Sequence, residues 1–221
     1  MQRTIVVGDV HGCVDELQLL LRRCGYAKGD RVVLAGDLVA KGPDSQGVVQ
    51  SARENGFLAV LGNHDAFALA HRRQAHEHAR PGRHGYIASL RPADWEYLQT
   101  LPLYLRLGPA KPGERDILVV HAGLVPGVPL DKQRREHLLS LRSITDTGEP
   151  TSRLLLHYPW AARWQGPERL VFGHDAVRGL QRWPLALGLD TGCVYGRLLT
   201  ALLLPEGELV QLAALRRYAS R

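Results

Sequence analysis

Five short segments concentrate the side chains of this 221-residue chain that can bind cations and move protons. They are Gly8-Asp9-Val10-His11-Gly12, Gly36-Asp37, Gly62-Asn63-His64-Asp65, His121-Ala122-Gly123 and Gly173-His174. Their donors are carboxylate, imidazole and amide, with no thiolate. Such a mixed set suits manganese, iron or zinc better than an all-oxygen calcium site or a thiolate zinc site. Glycines beside the donors let the backbone turn sharply and come close to a ligand. A Gly-Asp pair after a strand is, taken alone, most often a turn. Five such motifs, each at the end of a strand-like run and in a consistent order, require several partly independent coincidences, and together they point to one metal-dependent site. His76, His78, His84, His137 and His157 lack that context and read as solvated or packed side chains.

Apolar periodicity supplies the elements that must gather these motifs. Thr4–Val7 reads as a buried strand, and Val14–Arg23 as a helix with Leu17, Leu20 and Leu21 on one face. Arg31–Leu34 is a second strand, a helix runs from Ser45 to about Glu54, and residues 57–61 form a third strand entering Gly62-Asn63. Residues 117–120 and Arg169–Phe172 read as strands leading into the His121 and His174 motifs. Further strands are expected at 186–189, 197–203 and 209–213, with a hairpin turn at 205–207. This alternation specifies α/β layers. In open α/β sheets ligand sites form beyond the carboxyl ends of the strands, so the motifs become neighbours in space. The basic stretch 71–84, with Pro81 and Gly82, reads as a helix end running into a loop over one side of the site.

An apolar content of 45% over this length supports one sizeable core, so a single domain over 1–221 is expected, with a small variable cap around 71–100 and 125–165. The net charge of +6 favours anionic partners by long-range steering without choosing among nucleotides, phosphoproteins and RNA. No aromatic stacking series accompanies the basic stretch, which argues against RNA binding as the primary activity. Residues 1–8 run straight into β-branched residues without the features of a signal peptide, and no run reaches the ~18 apolar residues of a membrane span. The expectation is a cytoplasmic protein with no membrane partner. Cys13, Cys24 and Cys193 show no Cys-x-x-Cys spacing and read as reduced packing residues.

The five ordered motifs resemble those of the calcineurin-like metallophosphatases. Residues 36–43, Gly-Asp-Leu-Val-Ala-Lys-Gly-Pro, and residues 189–193, Leu-Asp-Thr-Gly-Cys, resemble the ApaH-like branch, the symmetrical diadenosine tetraphosphatases. The likeness spans nearly the whole chain. It implies an αββα sandwich of two mixed β-sheets flanked by helices, and a pair of divalent transition-metal ions, manganese first, with iron, zinc or cobalt as alternatives. Asp9, His11 and Asp37 would hold one ion and Asp37, Asn63, His121 and His174 the other, with Asp37 bridging. Two ions roughly 3.5–4 Å apart lower the pKa of a shared water and clamp the phosphoryl oxygens during in-line attack, which makes hydroxide the nucleophile. His64 corresponds to the family's proton donor to the leaving oxygen. Asn63, His64, Lys41 and Arg142 are the candidate phosphate contacts, and Tyr195 is placed at the border of the pocket.

The chain departs from the pattern in three places. Lys41 stands where the ApaH-like branch usually has arginine, replacing a planar fork by a point charge. Ala40-Lys41 stands where protein serine/threonine phosphatases of this superfamily carry Asp-Arg, so the carboxylate that orients the acid histidine is missing. The chain is also shorter than typical relatives between His121 and His174. A weakly supported His64 can still serve a nucleotide phosphate, whose pKa is only about 6, while a serine alkoxide needs stronger proton donation. The resemblance therefore implies hydrolysis of dinucleoside polyphosphates, diadenosine tetraphosphate going to two ADP. Broad serine/threonine or tyrosine phosphoprotein dephosphorylation and removal of a nucleotide cap from RNA 5′ ends are the alternative activities. A noncatalytic metal-binding sensor is the reading from another class, and His64 argues against it.

Overall fold

The computed structural model describes residues 2–77 and 85–220. Strand β1 (Thr4–Val7) is buried on both faces and lies between β2 (Arg31–Leu34), which is parallel to it, and β11 (Leu198–Leu204), which is antiparallel. With β3 (Leu58–Ala59) and β12 (Glu208–Ala213) at the edges, the first sheet has the order β12-β11-β1-β2-β3. The second sheet, β4-β5-β8-β10-β9, is built from Tyr104–Pro109, Asp116–Val120, Arg169–Phe172, Ala186–Gly188 and Gln181–Trp183 respectively. A short hairpin pairs β6 (Ser143–Ile144) with β7 (Pro150–Thr151).

Period-two alternation sorts the strand residues into three layers. Val6, Val33 and Leu202 of the first sheet meet Ile117, Val119 and Val171 of the second between the sheets. Ile5, Val7 and Leu34 point the other way, onto helices α1 (Val14–Arg23) and α2 (Ser45–Glu54) through Leu17, Leu20, Val48 and Val49. Leu118, Val120, Leu170 and Phe172 bury the outer face of the second sheet against Trp160, Trp164 and Leu138, the last from α6 (Arg135–Ser140). The expected αββα sandwich is therefore present. Its helices have the end signals their sequences contain. Asp15 and Glu16 open α1 and Arg22 and Arg23 close it, matching the helix dipole, while the Asp44 carboxylate caps α2 by accepting the Gly47 N–H at 2.7 Å.

Several expectations need adjustment. The strand read over 57–61 shrinks to β3, because this edge strand has a single partner and Leu58 turns to solvent. Asn63 opens directly into α3 (Asn63–Glu77), so the stretch read as a helix end at His71 belongs to a longer helix. The loop read after it, together with His78 and His84, lies at 78–84, outside the described residues. Two short helices, α4 (Gly85–Ser89) and α5 (Pro92–Thr100), follow, and Trp95 and Leu98 of α5 join the core over α2. Cys13, Cys24 and Cys193 are buried and unbridged, as packing residues should be. Among the described residues no helix is long and apolar enough to cross a membrane.

Candidate active site

β1, β2 and β3 are mutually parallel, as are β5 and β8, so the motif following each strand emerges at the same edge of its sheet. Direct bonds join the two edges. The His174 N–H, after β8, donates to Asp9 Oδ1, after β1, at 2.9 Å, and the His121 ring, after β5, meets the Ala35 carbonyl, after β2, at 2.9 Å. Such proximity explains two of the glycines. A Cβ on Gly173 would lie 2.0 Å from Asp9 Oδ1, and one on Gly62 2.2 Å from Asp37 Oδ1. Non-glycine residues with positive φ cluster here as well. Among the described residues they are His11 (47°), Asp37 (50°), Ala40 (74°), Lys41 (67°) and His174 (69°). Left-handed backbone at non-glycine residues is unfavourable and collects at functional sites, and three of these five are candidate ligands.

Asp37 sits at the centre. Its Oδ2 is 3.4 Å from His11 Nε2 and its Oδ1 is 3.5 Å from His121 Nε2, while Oδ1 also accepts the His64 N–H at 2.9 Å. Donor atoms of His11, Asp37 and His64 lie within 4.8 Å of one another, and so do those of Asp37, His121 and His174. The two groups share Asp37. Carbonyl oxygens of Val39 and Ala35 face Nδ1 of His11 and His121, and since a carbonyl can only accept, those nitrogens carry the hydrogen. Each Nε2 then presents a lone pair to the centre. Asn63 Oδ1 is 3.0 Å from His121 Nε2, which brings the amide and the imidazole together at the centre. His174 Nε2 is buried with no hydrogen-bond partner among the described residues. Lys41 places its ammonium 2.9 Å from His11 Nε2, a positive charge against a lone pair already turned toward a cation. Together these contacts show that the residues fit divalent metal ions.

Electrostatics agree. Burial pushes the Asp37 carboxyl upward, but His121, His11, His64 and Lys41 outweigh it and hold the group well below the usual carboxylate range. Burial lowers His11 to about 3, opposed by Asp37 and aided by Lys41 and His64. His174 falls well below its ordinary value through burial, then His121 and Arg142. Neutral imidazole is the form that coordinates metal. Asp9 is raised by burial and by the neighbouring Asp190 and Asp37, a crowding of acids that a bound cation relieves.

The remaining candidates surround this centre. Lys41 stands at the His11 end, 5.5 Å from the centroid of the half-buried Tyr195 ring. Arg142 is half-buried at the other end, where its charge acts on His174 and its Nη1 donates to the Ser152 carbonyl at 3.3 Å. The His64 ring stands edge-on to His11 with centroids 5.0 Å apart. His137 lies against Glu136 and His157 is exposed, in keeping with roles outside the site.

Two carboxylates received no role from the sequence although their motifs stood out. Buried Asp65 accepts the Leu38 and Val39 N–H groups on Oδ1, at 2.9 and 3.2 Å, and the Gly62 N–H on Oδ2 at 3.0 Å. One side chain thereby bolts the loop carrying Asp37 to the start of α3, which carries Asn63. Burial and Asp37 push it up to about 7 against the pull of those donors. Asp190, raised to about 6 chiefly by burial, accepts the Gly192 N–H at 3.0 Å beside Asp9. An aspartate three residues after the glycine of its own motif was the available signal for Asp65.

A two-sheet sandwich with aspartate, histidine and asparagine converging at the shared strand ends defines a metallophosphoesterase-type centre. Residues 2–199 match the calcineurin-like phosphoesterase family, and the chain belongs to it. It is thus a hydrolase of the kind that works with divalent metal ions. Among curated relatives, the symmetrical bis(5'-nucleosyl)-tetraphosphatase of Aromatoleum aromaticum is 30% identical over 97% of this chain and 98% of its own length. The asymmetrical bis(5'-nucleosyl)-tetraphosphatase PrpE of Oceanobacillus iheyensis is 27% identical over 95% of this chain and 91% of its own. A crystal structure of a candidate diadenosine tetraphosphatase aligns with a TM-score of 0.85 and 38% identity, covering 96% of this chain and 94% of that one.

Proposed function

We propose that this chain hydrolyses dinucleoside polyphosphates, cutting diadenosine tetraphosphate symmetrically into two ADP with a pair of manganese ions. The observation that carries the reading is the placement of cationic side chains at both ends of the Asp37-centred cluster, Lys41 against His11 and Arg142 on the segment that Arg178 ties to Asp175, the residue after His174. A phosphate chain extends charge on both sides of the bond being broken, whereas a phosphomonoester presents it on one. Residues 36–43 and 189–193, which resemble the symmetrical branch, support the position of the cut.

When bound, the metal ions supply Lewis-acid stabilisation of the phosphoryl oxygens and an activated water. Asp9, His11 and Asp37 would hold one ion, and Asp37, Asn63, His121 and His174 the other. Lys41, with its ammonium 2.9 Å from His11 Nε2, has a flexible stem that lets that charge reach a phosphate oxygen. His64 holds a proton on its ring for the leaving oxygen. Ala40 offers it no carboxylate, which suits a leaving group as weakly basic as a nucleotide phosphate.

Rates on diadenosine tetraphosphate, a phosphopeptide and capped RNA, compared side by side with added manganese, test this reading. Preferential turnover of the dinucleotide with ADP as sole nucleotide product is expected. AMP with ATP would overturn the symmetrical cut, and a faster phosphopeptide or RNA reaction would overturn the substrate class.

A further inference from the structure

Arg178 takes no part in the chemistry described so far, yet it is one of the most heavily bonded side chains near the site. Its guanidinium is 9% exposed and pairs with the buried carboxylate of Asp175, the residue after His174. From there Nη1 donates to the Arg142 carbonyl at 3.1 Å, and Nη2 donates to Ser143 Oγ at 3.1 Å and to the Leu155 carbonyl at 2.5 Å. The post it stands on is itself fixed. Asp175 Oδ1 accepts the Arg178 N–H at 3.3 Å, and Arg197 grips the same loop by donating to the Ala176 carbonyl at 2.7 Å.

The receiving segment is anchored on either side of Arg142 by the buried side chains of Leu141 and Ile144. Arg142 lies between α6 and the two-residue strand β6, outside both large sheets. Its N–H is held by the Thr151 carbonyl at 3.0 Å, and its own carbonyl receives Arg178 and, at 3.4 Å, the Trp160 N–H. Both peptide groups of Arg142 are therefore pinned. Its side chain, in contrast, makes one hydrogen bond among the described residues, the long one to Ser152. That combination of fixed backbone and lightly held guanidinium is what an anion contact requires, because the ordering is done before the ligand arrives.

We infer that Arg178 is a positioning residue that sets Arg142 relative to His174, so that substrate affinity on that side of the centre depends on a buried arginine that does not touch substrate. The inference rests on the assignment of Arg142 as a phosphate contact. Lysine cannot replace it, since a single ammonium can keep the Asp175 pair but cannot hold the Arg142 carbonyl, Ser143 Oγ and the Leu155 carbonyl together.

The test is a double-mutant cycle on the manganese-loaded protein with diadenosine tetraphosphate, using Arg178→Lys, Arg142→Ala and both, with Ser143→Ala as a milder cut through the same contact. Arg178→Lys is expected to raise KM by roughly three- to tenfold with kcat changed less than twofold, and Arg142→Ala to raise KM by about tenfold or more. In the Arg142→Ala background Arg178→Lys should add nothing, because the group it positions is gone, and Ser143→Ala should show a weaker copy of the same behaviour. An equal KM increase in both backgrounds would make Arg178 a general structural residue and overturn the inference. So would an increased manganese requirement with unchanged KM, which would place its action on His174. An unaltered KM in Arg178→Lys and Ser143→Ala beside a raised one in Arg142→Ala overturns the positioning role alone, whereas an unaltered KM in Arg142→Ala removes the phosphate contact itself and the inference with it.

Discussion

Replacing Asp65 by asparagine tests whether one buried carboxylate holds the loop carrying Asp37 in register with the start of α3. The change keeps shape and volume, so packing is preserved and hydrogen bonding alone is altered. In the ionised form Asp65 accepts on both oxygens, from Leu38 and Val39 on one side and Gly62 on the other. Asparagine has one acceptor oxygen. If that oxygen stays with Leu38 and Val39, its amide hydrogens face the Gly62 N–H, which loses a bond to a charged group and is left unpaired in the interior. Either loss is worth about 1–3 kcal/mol, and they overlap. Removing the charge also relieves repulsion from Asp37, part of what raises Asp65 to about 7, and this offsets some of the damage. The expected net loss is roughly 2–3 kcal/mol, which in a chain of this length lowers Tm by about 5–10 °C. Manganese titrations should show a higher requirement as well, because the loop carrying Asp37 and the start of α3 carrying Asn63 lose their common anchor. Thermal melts within about 2 °C of wild type, with an unchanged metal requirement, would refute the bolt.

Gly173→Ala introduces a methyl group 2.0 Å from Asp9 Oδ1, so one of them must move by about 1 Å, a displacement that can lower turnover on the order of 100-fold; activity as a function of manganese would register it, and wild-type behaviour would contradict the geometry. Asp37→Asn should remove metal from both sides of the centre, and a variant that retained two ions by elemental analysis would be incompatible with a shared bridging carboxylate. His64→Asn should slow phosphopeptide hydrolysis at least about tenfold more than hydrolysis of diadenosine tetraphosphate. Equal slowing of both substrates would show that leaving-group basicity does not decide how far this protein depends on its acid.

How much could be read beforehand follows from which forces shape each element. β1, β2, α1 and β8 appear at the bounds that apolar periodicity marks, because both faces of those strands and one face of that helix are buried. β4 was not read: Leu107 is its one buried side chain, the others being exposed or half-buried, and Gly108 and Pro109 sit within it, so it shows little apolar signal and is held by pairing with β5. Candidate ligands were legible because metal chemistry restricts residue type and places glycines beside them. Arg178 was not, since its value comes from carbonyls of Arg142 and Leu155, which a sequence does not display as chemistry. The αββα arrangement itself followed from resemblance, as alternation along one strand does not say what covers its far face.

Because Asp9 receives the His174 N–H and Ala35 receives the His121 ring, the bonds that shape the centre are also stitches between the two halves of the sandwich. A cation held by residues from both sheets would act as a rivet at that margin, because by mass action any ion that binds only the docked arrangement raises the free energy of prying the halves apart.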